Sequence, residues 1–359
     1  MHSKLFQSFT FKNGTILKNR LSLAPLTNQQ SNEDGTLSDE EFHWLTMRAK
    51  GGFGMVVTCA SHVQSIGKGF PGQLGIFSDF HLEGHKRLAK EIKKHGALAL
   101  VQLHHAGMRS PIDCIGGMQP VCPSDNEKTK ARALTLDEVI QLKCDFVSAA
   151  VRAKKAGYDG VEIHAAHGYI LAQFLSPKIN QRNDKFGGSL ENRLRLILEI
   201  IEEVSKQCGN DFLIGIRISP ERFGLELEEI LEVYRLLIQQ DIVDFIDVSL
   251  WDYEKLPEEQ LVEGKKLLDY FLEIPRNSIG LTVAGKIYGT NDVHSLLEKN
   301  IDFLSLGKAA ILHHDFPLQL ANNSDFHMIQ TPVSESYLEK QGLSPKFIDY
   351  MRKWPDFVK

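Results

Sequence analysis

Two histidines and a tyrosine follow one short apolar run near the middle of the chain. His164, His167 and Tyr169 lie in the segment GVEIHAAHGY, where apolar residues give way to a polar turn. Two imidazoles can hydrogen-bond one carbonyl oxygen, and a phenol beside them can donate a proton. The three residues therefore indicate polarisation and protonation of a carbonyl compound.

Two other interpretations of the histidines stay open. A His-x-x-His pair can bind a metal ion, but neither the glutamate of a zinc-hydrolase helix motif nor a clear third ligand adjoins it. The histidines can instead have a purely structural role, because polar residues at strand ends often satisfy backbone groups. We predict no metal site and leave the structural role open.

Two further polar side chains interrupt apolar runs. Gln102 lies in ALALVQL and Arg217 lies in FLIGIRIS. A buried amide or guanidinium without a partner is unfavourable, so each side chain needs one. Gln102 requires a bound group or the backbone. Arg217 requires an anion or a dipole, and a buried ion pair is the weaker alternative because its own strand offers no obvious acidic mate.

The runs that carry these residues belong to a regular series. Short aliphatic and β-branched runs occur at 21–25, 54–60, 97–103, 160–166, 212–219, 244–249, 279–285 and 301–307. Continuous runs of this kind are typical of parallel strands covered on both faces. Segments of helical periodicity separate them. We therefore predict an α/β fold that closes into a single-domain (β/α)8 TIM barrel.

Helix-start signals support this alternation of strands and helices. Thr135-x-x-Glu138 and Ser38-x-x-Glu41 each predict a capping box before an apolar-periodic helix. The alternative fold is a doubly wound sheet. It is disfavoured because no Gly-x-Gly-x-x-Gly turn follows the first run.

A barrel builds its active site at the carboxyl ends of its strands. The irregular segment 108–133 follows the third run, which places it over that face. Gly285 and Gly307 end the last two runs, where their backbone N–H groups can approach a phosphate. The alternative is that both glycines are simple turn formers.

Composition excludes several classes of partner. The 359 residues carry a formal charge of -5 and no basic stripe, which argues against nucleic acid. No apolar run is long enough to span a bilayer, and the N-terminus lacks a secretory h-region, so we expect no membrane association. Five scattered cysteines, without a Cys-x-x-Cys pair, fit a reducing cytoplasm.

The segment 163–193 closely resembles the Old Yellow Enzyme family of FMN-dependent ene-reductases. Further matches are APLT (24–27), VQLHHAG (101–107), IRIS (216–219) and a Gly-Lys turn after the last run, all in the family's order. The resemblance implies one FMN-binding barrel over residues 1–359, with a short N-terminal extension and a C-terminal tail after about residue 325.

The resemblance also implies roles for the flavin-binding residues. It places Pro25, Thr27 and Ala60 at the flavin, with Thr27 bonded to the C4 oxygen near N5. The alternative for Thr27 is a helix or turn cap. Gln102 would bind the pyrimidine edge, and Arg217 would lie near N1, where reduced flavin carries negative charge.

The phosphate of FMN would lie at Gly285, Gly307 and Lys308. The family usually has arginine in place of Lys308, so a point charge replaces a bidentate fork. Other departures are Lys68 and Met108, again where the family tends to have arginine.

Two segments bear on the substrate pocket and on assembly. Trp251 and Tyr253 lie in an aromatic and acidic segment where many relatives are small and glycine-rich, so they either reshape the pocket or an interface, or pack on the rim. Some relatives complete the active site with a C-terminal arginine from a neighbouring subunit. Arg352 is a candidate by position only, and the resemblance thus allows a homo-oligomer.

The implied reaction is reduction of the carbon–carbon double bond of α,β-unsaturated carbonyl compounds. NAD(P)H would pass hydride to flavin N5, which returns it to the β-carbon of an enone. His164 and His167 would bind the carbonyl oxygen, and Tyr169 would protonate the α-carbon. Alternatives are other substrates, namely nitro compounds, amines or dienoyl thioesters, and, from a different class, a non-redox binding barrel or a His-metal hydrolase.

Overall fold

Eight parallel strands form a closed barrel in the computed structural model, which describes residues 4–359. Each strand pairs with its two neighbours in chain order, and the last strand pairs with the first. The strands are β1 Leu21–Leu23, β2 Met55–Val57, β3 Leu98–His104, β4 Gly160–Ala165, β5 Leu213–Ile218, β6 Phe245–Ser249, β7 Gly280–Ala284 and β8 Phe303–Leu306. All eight predicted strands and the predicted (β/α)8 TIM barrel are confirmed.

Helices follow the strands and cover the outside of the barrel. The main helices are α1 Asp39–Lys50, α2 Leu82–Lys94, α3 Leu136–Lys155, α4 Leu190–Cys208, α5 Leu227–Gln240, α6 Leu267–Leu272, α7 Thr290–Glu298 and α8 Phe316–Asn322. Shorter helices are Ile170–Leu175, Lys308–Leu312, Glu335–Lys340 and Pro345–Met351. No helix among residues 4–359 combines the length and the apolar character that crossing a bilayer requires.

The two predicted capping boxes have different outcomes. At α3, Thr135 and Glu138 bond each other's backbone N–H groups, as predicted. At α1, Ser38 accepts from the backbone of Glu41, but the return bond is absent and that half of the prediction is wrong. The carboxylate of Glu41 is fully buried and accepts from Asn28 and Ser31 instead, because it lies under the loop that follows β1.

An aromatic cluster closes the amino end of the barrel. The N-terminal hairpin, Phe9–Thr10 with Ile16–Leu17, lies across this end. Its Phe11 ring is 6.0 Å from that of Phe245 and 5.8 Å from that of Phe303, measured between centroids. All three rings are buried, so this end of the barrel is filled by side chains. Residues 1–3 of the predicted N-terminal extension lie outside the described residues.

A polar layer lies above the aromatic cluster inside the barrel. It is formed by Gln102, Glu162, Arg217, Asp247 and Thr282, one from each of five consecutive strands, β3 to β7. All five are at most 6% exposed. Register explains the layer, because Gln102 pairs with Glu162 and Arg217 with Asp247 on neighbouring strands. Alternate residues of apparently continuous apolar strands therefore point into a polar lumen.

The C-terminal segment packs beside the carboxyl ends of the strands. Its helix Pro345–Met351 inserts Phe347, whose ring contacts that of Trp44 in α1 at 5.3 Å between centroids. The predicted loop 108–133 follows β3 and contains only short helical turns and a two-residue strand pair. The division into barrel and tail near residue 325 stays a prediction.

The aromatic cluster predicts a large, local stability effect. We expect Phe245→Ala to lower the free energy of unfolding by about 3–5 kcal/mol, because it leaves a cavity among buried rings. Phe80→Ala is the matched control, since Phe80 is 68% exposed and should cost less than about 0.5 kcal/mol. Urea unfolding followed by circular dichroism measures both, and equal losses would contradict a filled barrel end.

Candidate active site

The structure brings the three sequence-predicted catalytic residues together at the carboxyl end of β4. His164 lies in the strand, and His167 and Tyr169 lie in the turn before the helix Ile170–Leu175. The His164 ring centroid is 5.0 Å from that of His167 and 5.3 Å from that of Tyr169. His167 has a left-handed backbone, with φ of 59°, which turns its ring back toward His164.

Both imidazoles are held in their neutral form. Burial lowers the pKa of His164 and of His167 well below the ordinary value, and the guanidinium of Arg217 adds to the effect. The Nε2 atom of His167 bonds the Ser249 hydroxyl at 2.8 Å. The Nδ1 atom of His164 is buried and has no hydrogen-bond partner in residues 4–359. The pair thus offers ring nitrogens that are not used by the protein.

His104 is a third imidazole that the sequence analysis quoted within VQLHHAG but did not select. Its ring centroid is 4.3 Å from that of Tyr169 and 5.4 Å from that of His164. Neither ring nitrogen has a partner among the described residues, and the side chain is fully buried. The signal available in the sequence was its position, two residues after Gln102 and thus on the same face of β3.

Gln102 and Arg217 lie in the lumen beneath these rings. The Nε2 atom of Gln102 donates to Glu162 at 2.7 Å, which leaves the amide oxygen of Gln102 for another donor. The Nε atom of Arg217 is 3.2 Å from a carboxylate oxygen of Asp247. The ion pair that we considered the weaker alternative for Arg217 is therefore present. The sequence analysis missed it because the acid comes from the neighbouring strand.

This lumen contains two carboxyl groups for one guanidinium. Burial and the nearby Asp247 raise the pKa of Glu162 to about 8. Burial also raises the pKa of Asp247, although Arg217 opposes the change. Asp247 makes the direct ion pair, so we assign the negative charge to Asp247 and the retained proton at neutral pH to Glu162.

The polar layer fits the ring system of a flavin. The Arg217 Nε atom is buried without a hydrogen bond in suitable geometry, and the Gln102 amide oxygen accepts none from residues 4–359. A heterocycle with N–H and C=O groups on one edge satisfies such a donor and acceptor together. Pro25, Thr27 and Ala60 follow β1 and β2 and are partly exposed, and their contact with the flavin stays a prediction.

Tyr350 is another residue that the sequence analysis missed. It comes from the C-terminal helix Pro345–Met351, which brings it close to the side chain of Thr27. Burial raises the pKa of Tyr350, and the nearby Tyr169 adds to the rise. No sequence signal linked residue 350 to the first strand, because the two are far apart in the chain.

The predicted binding site for the FMN phosphate is formed by the loops after β7 and β8. A Cβ atom at Gly285 would lie 2.9 Å from the backbone nitrogen of Asp252, whereas one at Gly307 would meet only Leu26, at 3.5 Å. The backbone at Gly307 is therefore open to a ligand. The Lys308 ammonium donates to the Thr331 hydroxyl at 3.0 Å and lies over the ring of Phe357. Its side chain faces the C-terminal segment, so Lys308 is the least supported of the predicted cofactor residues.

An aromatic and cationic rim surrounds the histidines. Trp251 is 49% exposed, and its ring centroid is 6.3 Å from that of His167. Phe223 lies 6.4 Å from His167, and the Arg109 guanidinium lies 4.9 Å from the centroid of Tyr169. Trp251 and Phe223 both have left-handed backbones, with φ of 66° and 55°. Such conformations persist at sites where the surroundings enforce them.

The other residues that the sequence singled out bond other side chains of the protein. Tyr253 bonds Asp292 at 2.8 Å and packs on the barrel rim. Lys68 is ion-paired with Glu33 at 3.0 Å. Arg352 is ion-paired within the chain to Asp349 and Glu335. No group of three His, Cys, Asp or Glu side chains in residues 4–359 is arranged to hold a metal ion.

Comparison with known proteins identifies this kind of barrel. Residues 4–325 match the model of the NADH:flavin oxidoreductase / NADH oxidase family. The chain is 36% identical to the probable NADH-dependent flavin oxidoreductase YqiG of Bacillus subtilis, over 95% of this chain and 94% of the relative. Two further relatives are longer, and the chain spans 48% and 37% of their lengths.

Solved structures agree with the sequence comparison. The Old Yellow Enzyme homologue of Zymomonas mobilis is 27% identical, with a TM-score of 0.81 over 96% of this chain and 98% of that one. Morphinone reductase in complex with tetrahydroNAD is 25% identical, with a TM-score of 0.78 over 94% of each chain.

The chain belongs to the NADH:flavin oxidoreductase / NADH oxidase family and is of the Old Yellow Enzyme type. It is an NAD(P)H-dependent flavin oxidoreductase whose cofactor is FMN. The predicted family, enzyme class and cofactor are confirmed.

The proton on Glu162 predicts a specific pH dependence of stability. The folded pKa of about 8 lies above the ordinary value of 4.5, so the folded chain binds an additional proton between these values. Stability contributed by that proton is lost as the pH rises through this window, by up to about 1.4 kcal/mol per pH unit.

We expect Glu162→Gln to remove this loss, because glutamine keeps an acceptor for Gln102 and cannot ionise. Urea unfolding at several pH values from about 5 to about 8 should show the variant gaining on the wild type as the pH rises. Glu83→Gln, at an exposed position, is the control. Parallel curves for wild type and Glu162→Gln would show that Glu162 is ionised in the folded protein.

Proposed function

We propose that the enzyme reduces the activated carbon–carbon double bond of α,β-unsaturated carbonyl compounds with hydride from NAD(P)H. The observation that carries the proposal is the grouping of two neutral imidazoles and a phenol, His164, His167 and Tyr169, at one barrel mouth. FMN, when bound, supplies a two-electron carrier that takes hydride from the nicotinamide and transfers it to the substrate.

The imidazoles are suited to bind a carbonyl oxygen. As neutral rings they donate N–H hydrogen bonds without bringing a full positive charge into a buried pocket. Donation to the oxygen withdraws electron density from the conjugated double bond, so the β-carbon becomes the site of hydride addition. His104 is buried and within ring contact of both His164 and Tyr169, so it supports the two rings from behind.

Tyr169 is suited to protonate the α-carbon. Burial raises the pKa of its phenol, and the nearby Arg109 guanidinium opposes that rise. The phenol therefore keeps its proton at neutral pH and can release it to a carbanion-like carbon while the cation stabilises the phenolate that remains. A phenol held in this way acts as a general acid only once hydride has been added.

The cofactor would be held at its ring system by one group of residues and at its phosphate group by another. Gln102 and Arg217 offer an acceptor and a donor for the pyrimidine edge, and Thr27 offers a hydroxyl near the reactive nitrogen. Pro25 and Ala60 would line the flavin beside Thr27. The phosphate group would lie at the loops that contain Gly285, Gly307 and Lys308, in the place where barrels commonly bind one.

The absorbance spectrum tests the proposal first. Protein purified in the presence of FMN should be yellow, and anaerobic NADH or NADPH should bleach it. Addition of cyclohexenone should restore the colour as the saturated ketone forms. A protein that is bleached by nicotinamide but recovers its colour only with a nitro compound would retain the flavin chemistry and exclude the proposed substrate class.

Replacement of Tyr169 tests the proton donor. We expect Tyr169→Phe to slow reduction of cyclohexenone by about 10²–10⁴-fold, because the general acid is lost. Oxidation of NADPH should stay within about twofold, since that half-reaction needs no proton on carbon. Stopped-flow absorbance at the flavin band measures each half separately. Tyr270→Phe, on the outer helix α6, is the matched control, and equal losses in both halves would refute the assignment.

A further inference from the structure

Arg109 is an exposed arginine, but its side chain is fixed beside the reacting groups. One terminal nitrogen, Nη1, donates to the backbone carbonyl of His167. The guanidinium carbon lies 4.9 Å from the ring centroid of Tyr169 and 5.8 Å from that of Phe223. One hydrogen bond and two aromatic faces therefore hold the cation, where a free surface arginine would sample many rotamers.

The outer edge of this guanidinium is not used by the protein. Among residues 4–359, no hydrogen bond from the Nε or Nη2 atom of Arg109 is present, and no carboxylate lies within ion-pair distance. The neighbouring rim arginine differs, since Arg222 is ion-paired with Glu258 at 2.5 Å. The Nε and Nη2 atoms form the edge that binds a carboxylate through two parallel hydrogen bonds.

The positive charge of Arg109 affects the pKa values of the groups that we propose to react. Its charge contributes to lowering the pKa of His104, His164 and His167, and it opposes the rise at Tyr169. The acids beneath the rings do not cancel this field, because Asp247 is ion-paired with Arg217 and Glu162 is protonated. The mouth of the site is therefore electropositive and favours an anionic substituent on a bound molecule.

The position of the cation limits which anion it can bind. Because the guanidinium lies on the ring of Tyr169, a group bonded to Arg109 is close to the double bond to which Tyr169 donates its proton. A substituent on the double bond itself meets this condition. The pyrophosphate of a nicotinamide nucleotide does not, because it lies far from the reacting ring of that molecule.

We propose that Arg109 selects substrates with a carboxylate beside the activated double bond, so that oxo-enoate anions are preferred over neutral enones. This inference rests on the proposed function and names its substrate class. Hydride adds to the β-carbon and the Tyr169 proton to the α-carbon, with both electrons from NAD(P)H. The carboxylate is unchanged by the reaction and serves only to orient the double bond over the hydride donor.

The test compares one anion with its neutral ester. Wild-type holoenzyme is assayed with β-acetylacrylate and with methyl β-acetylacrylate, and the ratio of their kcat/KM values is the readout. We expect Arg109→Gln to lower this ratio by about tenfold or more, because a charge-assisted pair of hydrogen bonds is lost. Arg109→Lys, which keeps charge but not the fork, should recover part of the preference.

Arg222→Gln is the matched control, since it removes a rim cation that already has a protein partner. Its ratio should change less than about twofold. Added salt should lower the wild-type ratio and leave that of Arg109→Gln unchanged, because the Arg109 site is open to solvent. An unchanged ratio in Arg109→Gln would overturn the proposal. A changed KM for NADPH with an unchanged ratio would assign Arg109 to the nicotinamide instead.

Calorimetry separates this inference from the proposed function. Levulinate, the saturated product, and its methyl ester are titrated into the oxidised holoenzyme, where no turnover occurs. Tighter binding of levulinate, lost in Arg109→Gln, supports the anion site even if neither unsaturated compound is reduced. If both unsaturated compounds are reduced while levulinate and its ester bind alike, the proposed function stands and the role of Arg109 is excluded.

Discussion

The buried charges in the middle of the barrel constrain the rest of the site. One guanidinium, Arg217, is placed among groups from three neighbouring strands, and only Asp247 pairs with it directly. Glu162 keeps a proton and fixes the amide of Gln102, so that the amide oxygen points away from Glu162. The lumen thereby presents one donor and one acceptor at its upper surface without a net buried charge.

The histidines depend on the same arrangement. Burial disfavours protonation of either ring, and the guanidinium groups of Arg217 and Arg109 add to this effect. The rings are neutral for that reason, and their hydrogen-bonding direction follows from what the protein already uses. Ser249 takes one nitrogen of His167, whereas the Nδ1 atom of His164 stays unpaired. The protonation state of the two histidines therefore depends on charged groups beneath and beside them as well as on their own burial.

Much of this could be predicted from residue order alone. Eight apolar runs located every barrel strand, and the residues of the β4 turn located the group that we propose to be catalytic. Only half of the polar layer could be predicted. Gln102 and Arg217 interrupt apolar runs in the sequence. Their partners, Glu162 and Asp247, come from neighbouring strands, and the sequence does not give the register that pairs them. Tyr350 and Arg109 were missed because tertiary contact, not a local pattern, brings them to Tyr169 and Thr27.

The aromatic cluster at the amino end has a kinetic consequence. Phe11, Phe245 and Phe303 fill that end, and the N-terminal hairpin lies across it, so residues 4–359 leave no passage into the lumen from this side. NAD(P)H and the substrate must therefore both enter at the carboxyl end of the barrel, one after the other. Under the proposed function, each compound would then compete with the other for the same site, and turnover would follow a ping-pong scheme in which excess of either compound slows the cycle.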